Sequence, residues 1–320
     1  MSAPSRSRII LAFAAVYIIW GSTYLTILLA IRSIPPFLMA GTRFIISGII
    51  MYGLARWFGA PRPAIGTWKS AIIIGGCLLL GGNGGVTLSE KWVPTGLAAL
   101  LVATVPIYIA LLGWLTGKSP RPTLIVWLGL IGGFIGVGVL AAPAFRAPAE
   151  ADHNYFGLGV TVLLVGSLMW SIGSLYSRHA SSASSLFVAS GQQMISGGAL
   201  LFVTGSLLGE TKSFDVSRLT PSSIAAFAYL VLIGALIGYT AYFYLLRHCE
   251  PAKVATYAYV NPIVAIILGR IFLHEPLTVR TLVGAGLIIG SVAVVITAQQ
   301  FRARKGRAPA MEFAEVEKLR

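Results

Sequence analysis

The sequence predicts an all-α integral membrane protein of about ten transmembrane helices arranged as two inverted five-helix repeats. Three observations carry that expectation. The composition leaves too few charges for a water-facing surface, the chain divides into apolar runs of spanning length, and the two halves match each other in order.

Of the 320 residues, 56% are hydrophobic and 11% are charged, and the mean hydropathy is +0.83. A soluble domain carries about 25% charged residues. With less than half of that, the chain has lipid as its main solvent. The acidic residues and the four histidines fall at polar breaks between apolar runs or in the C-terminal tail. The net charge of +14 does not point to nucleic acid, because most basic residues sit at the ends of apolar runs and form no aromatic-studded patch. They suit the surface of a lipid bilayer.

A spanning helix needs about 20 mostly apolar residues. The runs of that kind are 9–30, 35–58, 69–89, 94–116, 122–143, 155–177, 185–208, 221–246, 251–273 and 279–299. Prolines mark many of the breaks, and proline at a first helical turn is tolerated because its missing N–H would be an orphan there. The first run exceeds a signal-peptide core, and no small-residue cleavage site closes it before Arg32, so it reads as a retained helix. The resulting division is a cytoplasmic N-terminus (1–8), a first repeat (9–145), a second repeat (155–299) and a basic cytoplasmic tail (300–320).

Lys and Arg set orientation. With the N-terminus inside, sixteen of the 24 basic residues fall on the inside, seven fall outside, and Arg43 lies within a run. Both termini are therefore expected in the cytoplasm, with the chain in the cell inner (plasma) membrane.

The halves align at an offset of about 150 residues. Trp20 matches Trp170, and Gly41-Thr42-Arg43-Phe44 matches Gly191-Gln192-Gln193-Met194. Pro94, Ala98, Pro106 and Pro120 match Pro251, Ala255, Pro262 and Pro276. An odd number of helices per half makes the second half enter from the opposite side. That is the inverted repeat of many secondary transporters, whose substrate site lies between the halves near the midplane.

Several stretches also carry a family resemblance. They are Tyr17-Ile18-Ile19-Trp20-Gly21-Ser22-Thr23-Tyr24, Ala40-Gly41-Thr42-Arg43-Phe44, Gly82-Asn83-Gly84, and Val93-Pro94-Thr95-Gly96 with Ala103-Thr104-Val105-Pro106. The second half adds Tyr257-Ala258-Tyr259-Val260-Asn261-Pro262 and His274-Glu275-Pro276. In order and spacing they resemble the EamA branch of the drug/metabolite transporter superfamily, and within it the YedA-like permeases. The resemblance implies ten helices, inverted five-helix repeats and export of small metabolites or drugs. One departure is visible. The family often closes the fourth helix of a repeat with a glutamate. Glu275 supplies it in the second half, whereas the first half has Lys118-Ser119-Pro120.

Arg43 is the one charge well inside a run, about 12 Å deep at 1.5 Å per residue. Such a charge is costly and commonly functional, here as partner to a carboxylate or phosphate. The structural alternative is an arginine that snorkels or bonds helix-end carbonyls. Gly81-Gly82-Asn83-Gly84-Gly85 reads either as a hinge beside the substrate path, with Asn83 supplying polar atoms, or as a close-packing face. Pro106 and Pro262 each remove a backbone hydrogen bond, leaving either a structural kink or a gate with a freed carbonyl. Trp20, Trp170, Tyr239, Tyr257 and Tyr259 lie deeper than interfacial anchors, and such a surface suits apolar, aromatic or cationic solutes.

The candidate substrate-binding residues are thus Trp20, Tyr24, Arg43, Asn83, Trp170, Gln193, Tyr239, Tyr257 and Asn261. The candidate gating residues are Gly82, Gly84, Pro106 and Pro262. Gly129-x-x-x-Gly133, Gly132-x-x-x-Gly136 and Gly286-x-x-x-Gly290 read as packing faces, within the chain or between two copies in a homodimer. No catalytic cluster, metal-ligand spacing or nucleotide motif occurs, so neither an enzyme nor a cofactor is expected. The expected function is a secondary transporter exporting amino-acid-like or aromatic/cationic small molecules by alternating access. The alternative is a non-catalytic scaffold or lipid-handling protein.

Overall fold

The computed structural model describes residues 6–117, 121–146, 151–177, 180–249, 254 and 256–318. Lys118-Ser119-Pro120, Pro251 and Ala255 lie outside these. The described residues are all-helical apart from turns and connections.

Ten helical segments follow the apolar runs. They are α1 (Arg6–Ile31), α2 (Pro36–Trp57), α3 (Ile65–Ser89), α4 (Thr95–Leu115), α5 (Leu124–Arg146), α6 (Ala151–Ser177), α7 (Leu186–Leu207), α8 (221–248), α9 (Tyr257–Leu273) and α10 (Val279–Lys318). Eight contain stretches long and apolar enough to cross a bilayer, and α5 and α9 contribute shorter apolar segments. The α7–α8 connection carries a short turn of helix at Glu210–Ser213 and a 3₁₀ turn at Val216–Arg218. There the Ser217 hydroxyl and amide donate to Asp215, 2.6 and 2.9 Å away, and hold its carboxyl below the usual carboxylate range.

The packing repeats itself when each helix is exchanged for its counterpart five places on. Helices α2 and α7, α4 and α9, and α5 and α10 pack on each other as symmetric pairs. The α3–α6 contact has its counterpart in α8–α1, and α1–α9 has its counterpart in α6–α4. The backbone repeats as well. Left-handed residues end α2 (Gly59, φ 82°) and α7 (Gly209, φ 82°), and also α4 (Gly117, φ 68°) and α9 (His274, φ 55°). Glycine takes this conformation without the Cβ clash that other residues meet. His274 is the exception among the four.

At the α2–α7 interface the symmetry reaches single atoms. A Cβ on Gly41 would stand 3.0 Å from the Gly198 carbonyl, and one on Gly48 would stand 3.0 Å from the Gly191 carbonyl. Gly41 and Gly191 are sequence counterparts, so each contact is the two-fold image of the other. Helices approach this closely only where small residues line the seam. Gly129 and Gly136 of α5 likewise sit against Ser291 and Ile288 of α10. Gly286 and Gly290, by contrast, face open space, and Gly284 is the α10 glycine that meets α5, through Leu140.

Two features depart from regular helices. In α3 the stretch Gly76–Asn83 is a π-helix, and so is Leu230–Ile237 of α8, its counterpart. A π segment adds a residue per turn and is frequent at functional sites. The fourth run contains a break where a kink is expected: it divides into Thr95–Val102 and Val105–Leu115, with Pro106 in the first turn of the second piece. The missing Pro106 N–H ends the ladder, and the Thr104 hydroxyl donates to the Leu101 carbonyl at 2.6 Å to close the first piece.

Candidate functional site

A cavity lies where the two halves cross. It admits the centre of a water-sized sphere over about 120 Å³, room for about ten waters or one small organic molecule. Its walls come from α1, α2, α3, α4, α6, α8 and α9, so both repeats build it.

Eight of the nine candidate binding residues border this space: Trp20, Tyr24, Arg43, Asn83, Trp170, Tyr239, Tyr257 and Asn261. Gln193 does not. It is half-buried on α7, where its backbone carbonyl abuts Gly75 of α3. Its neighbour Gln192 is the buried one, exchanging hydrogen bonds with Thr67 at 3.0 and 3.3 Å. The counterpart of Arg43, Gln193, therefore adds no polar group to the cavity. Of the candidate gating residues, Gly82, Pro106 and Pro262 border the cavity. Gly84 does not. A Cβ there would press on Leu201 (2.8 Å) and Phe37 (3.2 Å), so it is a packing glycine. The side chain of Tyr259 lies outside the described residues.

The aromatic wall is organised around Trp20. Its ring meets Tyr239 (5.3 Å), Tyr242 (5.0 Å) and Tyr257 (5.2 Å), with Tyr239 and Tyr257 edge-on. Edge-to-face pairs at these distances are favoured by the ring quadrupoles. Trp20 can lie this far in because Gly238 leaves it a seat: a Cβ at Gly238 would stand 2.6 Å from the indole Nε1. The same arrangement recurs on the other side, where a Cβ at Gly82 would stand 2.7 Å from Cε3 of Trp170. Each tryptophan thus rests on a glycine of the opposite repeat, at or directly after a π segment.

The polar groups are few. Arg43 is 3% exposed, and its Nε and Nη1 have no hydrogen-bond partner among the described residues. Its guanidinium carbon lies 4.6 Å from the Phe44 ring centroid. Ser47, one turn on, donates to the Arg43 carbonyl and reaches the Val231 carbonyl in the α8 π segment. With its amide turned to match its surroundings, Asn261 donates to the Tyr257 and Tyr17 carbonyls and ties α9 to α1. Prolines 106 and 262 cannot donate to Val102 and Ala258, and both of those residues border the cavity.

Thr23 and Ser167 also border the cavity and were not singled out from sequence. Each lies three residues from a cavity tryptophan, on the same helix face, and that spacing is the signal that marks them. The Ser167 hydroxyl, like Arg43, has no partner among the described residues.

Neither glutamate near the membrane borders the cavity. Glu90 is buried at the end of α3. Glu275 accepts hydrogen bonds from Thr95 N (2.7 Å), Thr95 Oγ1 (2.9 Å) and Gly96 N (3.2 Å), and so caps α4 of the other repeat. Glu210 does the same for α2 through Phe37 N and Leu38 N. A carboxylate at a helix N-terminus satisfies orphan donors and complements the helix dipole.

Comparison with known proteins agrees with this architecture. The model of the EamA-like transporter family matches twice, over residues 7–142 and 157–297. The chain belongs to the EamA-like transporter family. Among its relatives is the uncharacterized inner membrane transporter YedA of Escherichia coli K12, 34% identical over 96% of both chains. The uncharacterized transporter YvbV of Bacillus subtilis is 28% identical over 92% of both chains. One crystal structure superposes with a TM-score of 0.61 at 20% identity, covering 93% of this chain and 99% of that one. This EamA protein is therefore a membrane transporter built as two five-helix repeats.

Proposed function

We propose that the protein exports small organic metabolites or drugs across the inner membrane by alternating access, with the central cavity as the substrate site. The observation that supports this most is the pair of Trp–Gly seats, Trp20 on Gly238 and Trp170 on Gly82. They lie on opposite sides of one cavity and each joins the two repeats. In an inverted-repeat carrier, one bundle rocks against another around a fixed site. Two such seats, one on each repeat, supply two ways to close it. The π segments beneath them are departures from α-helical register of the kind frequent at functional sites. The inner-membrane location rests on the relationship to YedA, and cytoplasmic termini rest on the basic bias of the loops.

The test is counterflow in proteoliposomes loaded with a panel of amino acids, aromatic acids, nucleosides and cationic dyes. At least one class should exchange in a saturable way and only with the protein present. If no solute exchanges and fluorescent lipids flip instead, the protein handles lipid and the reading is wrong.

A further inference from the structure

We infer that the cavity is a receptor for organic monoanions, in which Arg43 pairs with a carboxylate while the aromatic wall holds an apolar body. This rests on the cavity being the transport site and adds the class of solute.

Charge decides the sign of the ligand. An arginine side chain does not deprotonate in proteins, so Arg43 stays cationic even at 3% exposure. A buried charge persists where something pairs with it. Among the described residues the guanidinium lies over the Phe44 ring but meets no carboxylate: Nε and Nη1 have no hydrogen-bond partner, and no acidic side chain borders the cavity. Glu275 is committed to the N-terminus of α4 and Glu210 to that of α2, and Glu90, whose oxygens have no hydrogen-bond partner among the described residues, lies at the end of α3 and does not border the cavity. A Cβ on Gly234 would stand 3.6 Å from Nη2, so the α8 π segment passes beside the guanidinium with room for a methyl group between them. The guanidinium therefore has donors left over for an acceptor oxygen such as a carboxylate's.

The remaining walls decide the shape. Trp20, Tyr239 and Tyr257 present rings edge and face, and about 120 Å³ admits a body the size of one aromatic ring with a short chain. An aromatic wall alone would also suit a cation. With a fixed positive charge and no carboxylate bordering the same space, a cation is repelled.

Three probes of one shape separate these terms: 3-phenylpropionate, its neutral amide and 3-phenylpropylamine. Binding is measured by calorimetry on the purified full-length protein, and flux by counterflow. The acid should bind at least tenfold more tightly than the amide, and the amine should bind weakest. Arg43→Gln should make acid and amide bind alike. Arg43→Lys should restore part of the preference, because a point charge replaces a fork. If Arg43→Gln does not fold, the acid-to-amide ratio of the parent decides alone. Equal binding of acid and amide by the parent, tightest binding of the amine, or a preference that survives Arg43→Gln refutes the inference. Flux without acid preference refutes it and leaves the transport reading standing. Acid-selective binding with no flux of any probe does the reverse.

Discussion

Adding a single methyl at Gly82 or Gly238 tests whether the tryptophan seats matter. In Gly238→Ala the new Cβ stands 2.6 Å from Trp20 Nε1 and 3.1 Å from its Cδ1. In Gly82→Ala it stands 2.7 Å from Trp170 Cε3. Ordinary contact is about 3.5–4.0 Å, so each indole must move by about 1 Å. The helix behind the seat cannot yield without breaking its own packing, and the open direction is the cavity. Overpacking of this kind costs about 1–3 kcal/mol. We predict that the cost falls on the bound state, where the ring and the solute compete for space, and about 1.4 kcal/mol is a tenfold loss of affinity. The two variants should change binding in the same direction, since each presses on a cavity tryptophan of the opposite repeat. Gly286→Ala is the control, because a Cβ there meets nothing within 4 Å. Folding is read by size-exclusion and thermal melting in detergent, and binding and counterflow are measured separately. Variants at 82 and 238 that bind and transport like Gly286→Ala would refute the reasoning.

Three further outcomes are expected. Glu275→Ala removes the acceptor of three hydrogen bonds at the start of α4 and should lower stability by about 2 kcal/mol, seen as a lower melting temperature; an unchanged melt contradicts the cap. Gln193→Ala should leave binding and transport intact, whereas Gln192→Ala, which removes the buried hydrogen bonds to Thr67 across α7 and α3, should lower the melting temperature; the opposite pattern would place Gln193 in the site. Reporter fusions after Arg8 and after Phe301 should both read cytoplasmic, and a periplasmic signal from either overturns the orientation.

Much of the architecture is legible in the sequence because a bilayer imposes one rule on every span: backbone groups must bond internally, so spans are helices of fixed length. The cavity residues are visible for a related reason. A tryptophan, tyrosine, asparagine or arginine deep in an apolar run must face protein or a polar space, which explains why Trp20, Arg43, Asn83 and Asn261 share one cavity. Rotation about a helix axis is less visible. Gln192 and Gln193 differ by about 100° of rotation, and the sequence does not show that Gln193, the counterpart of Arg43, stays out of the cavity while Gln192 bonds Thr67. The π segment in α8 is hidden altogether. Leu230–Ile237 reads as an ordinary apolar stretch, and its register is supported by contacts made from elsewhere, such as Ser47 reaching the Val231 carbonyl. In α3 the glycines mark the region, yet the π segment begins at Gly76, ahead of the cluster. The cap made by Glu275 is likewise invisible, because it joins residues 180 positions apart.

Accessibility of Ser167 tests the account most directly. Ser167 borders the cavity, its buried hydroxyl lacks a partner among the described residues, and cysteine is close to it in size. The variant Ser167→Cys is made with Cys77 and Cys249 replaced, and labelled with a membrane-impermeant thiol reagent in right-side-out and inside-out vesicles. A carrier that alternates around this cavity exposes one site to each side in turn. The account predicts labelling from both faces, slowed from both by a transported solute. Labelling from one face only, or labelling that no solute changes, would contradict it.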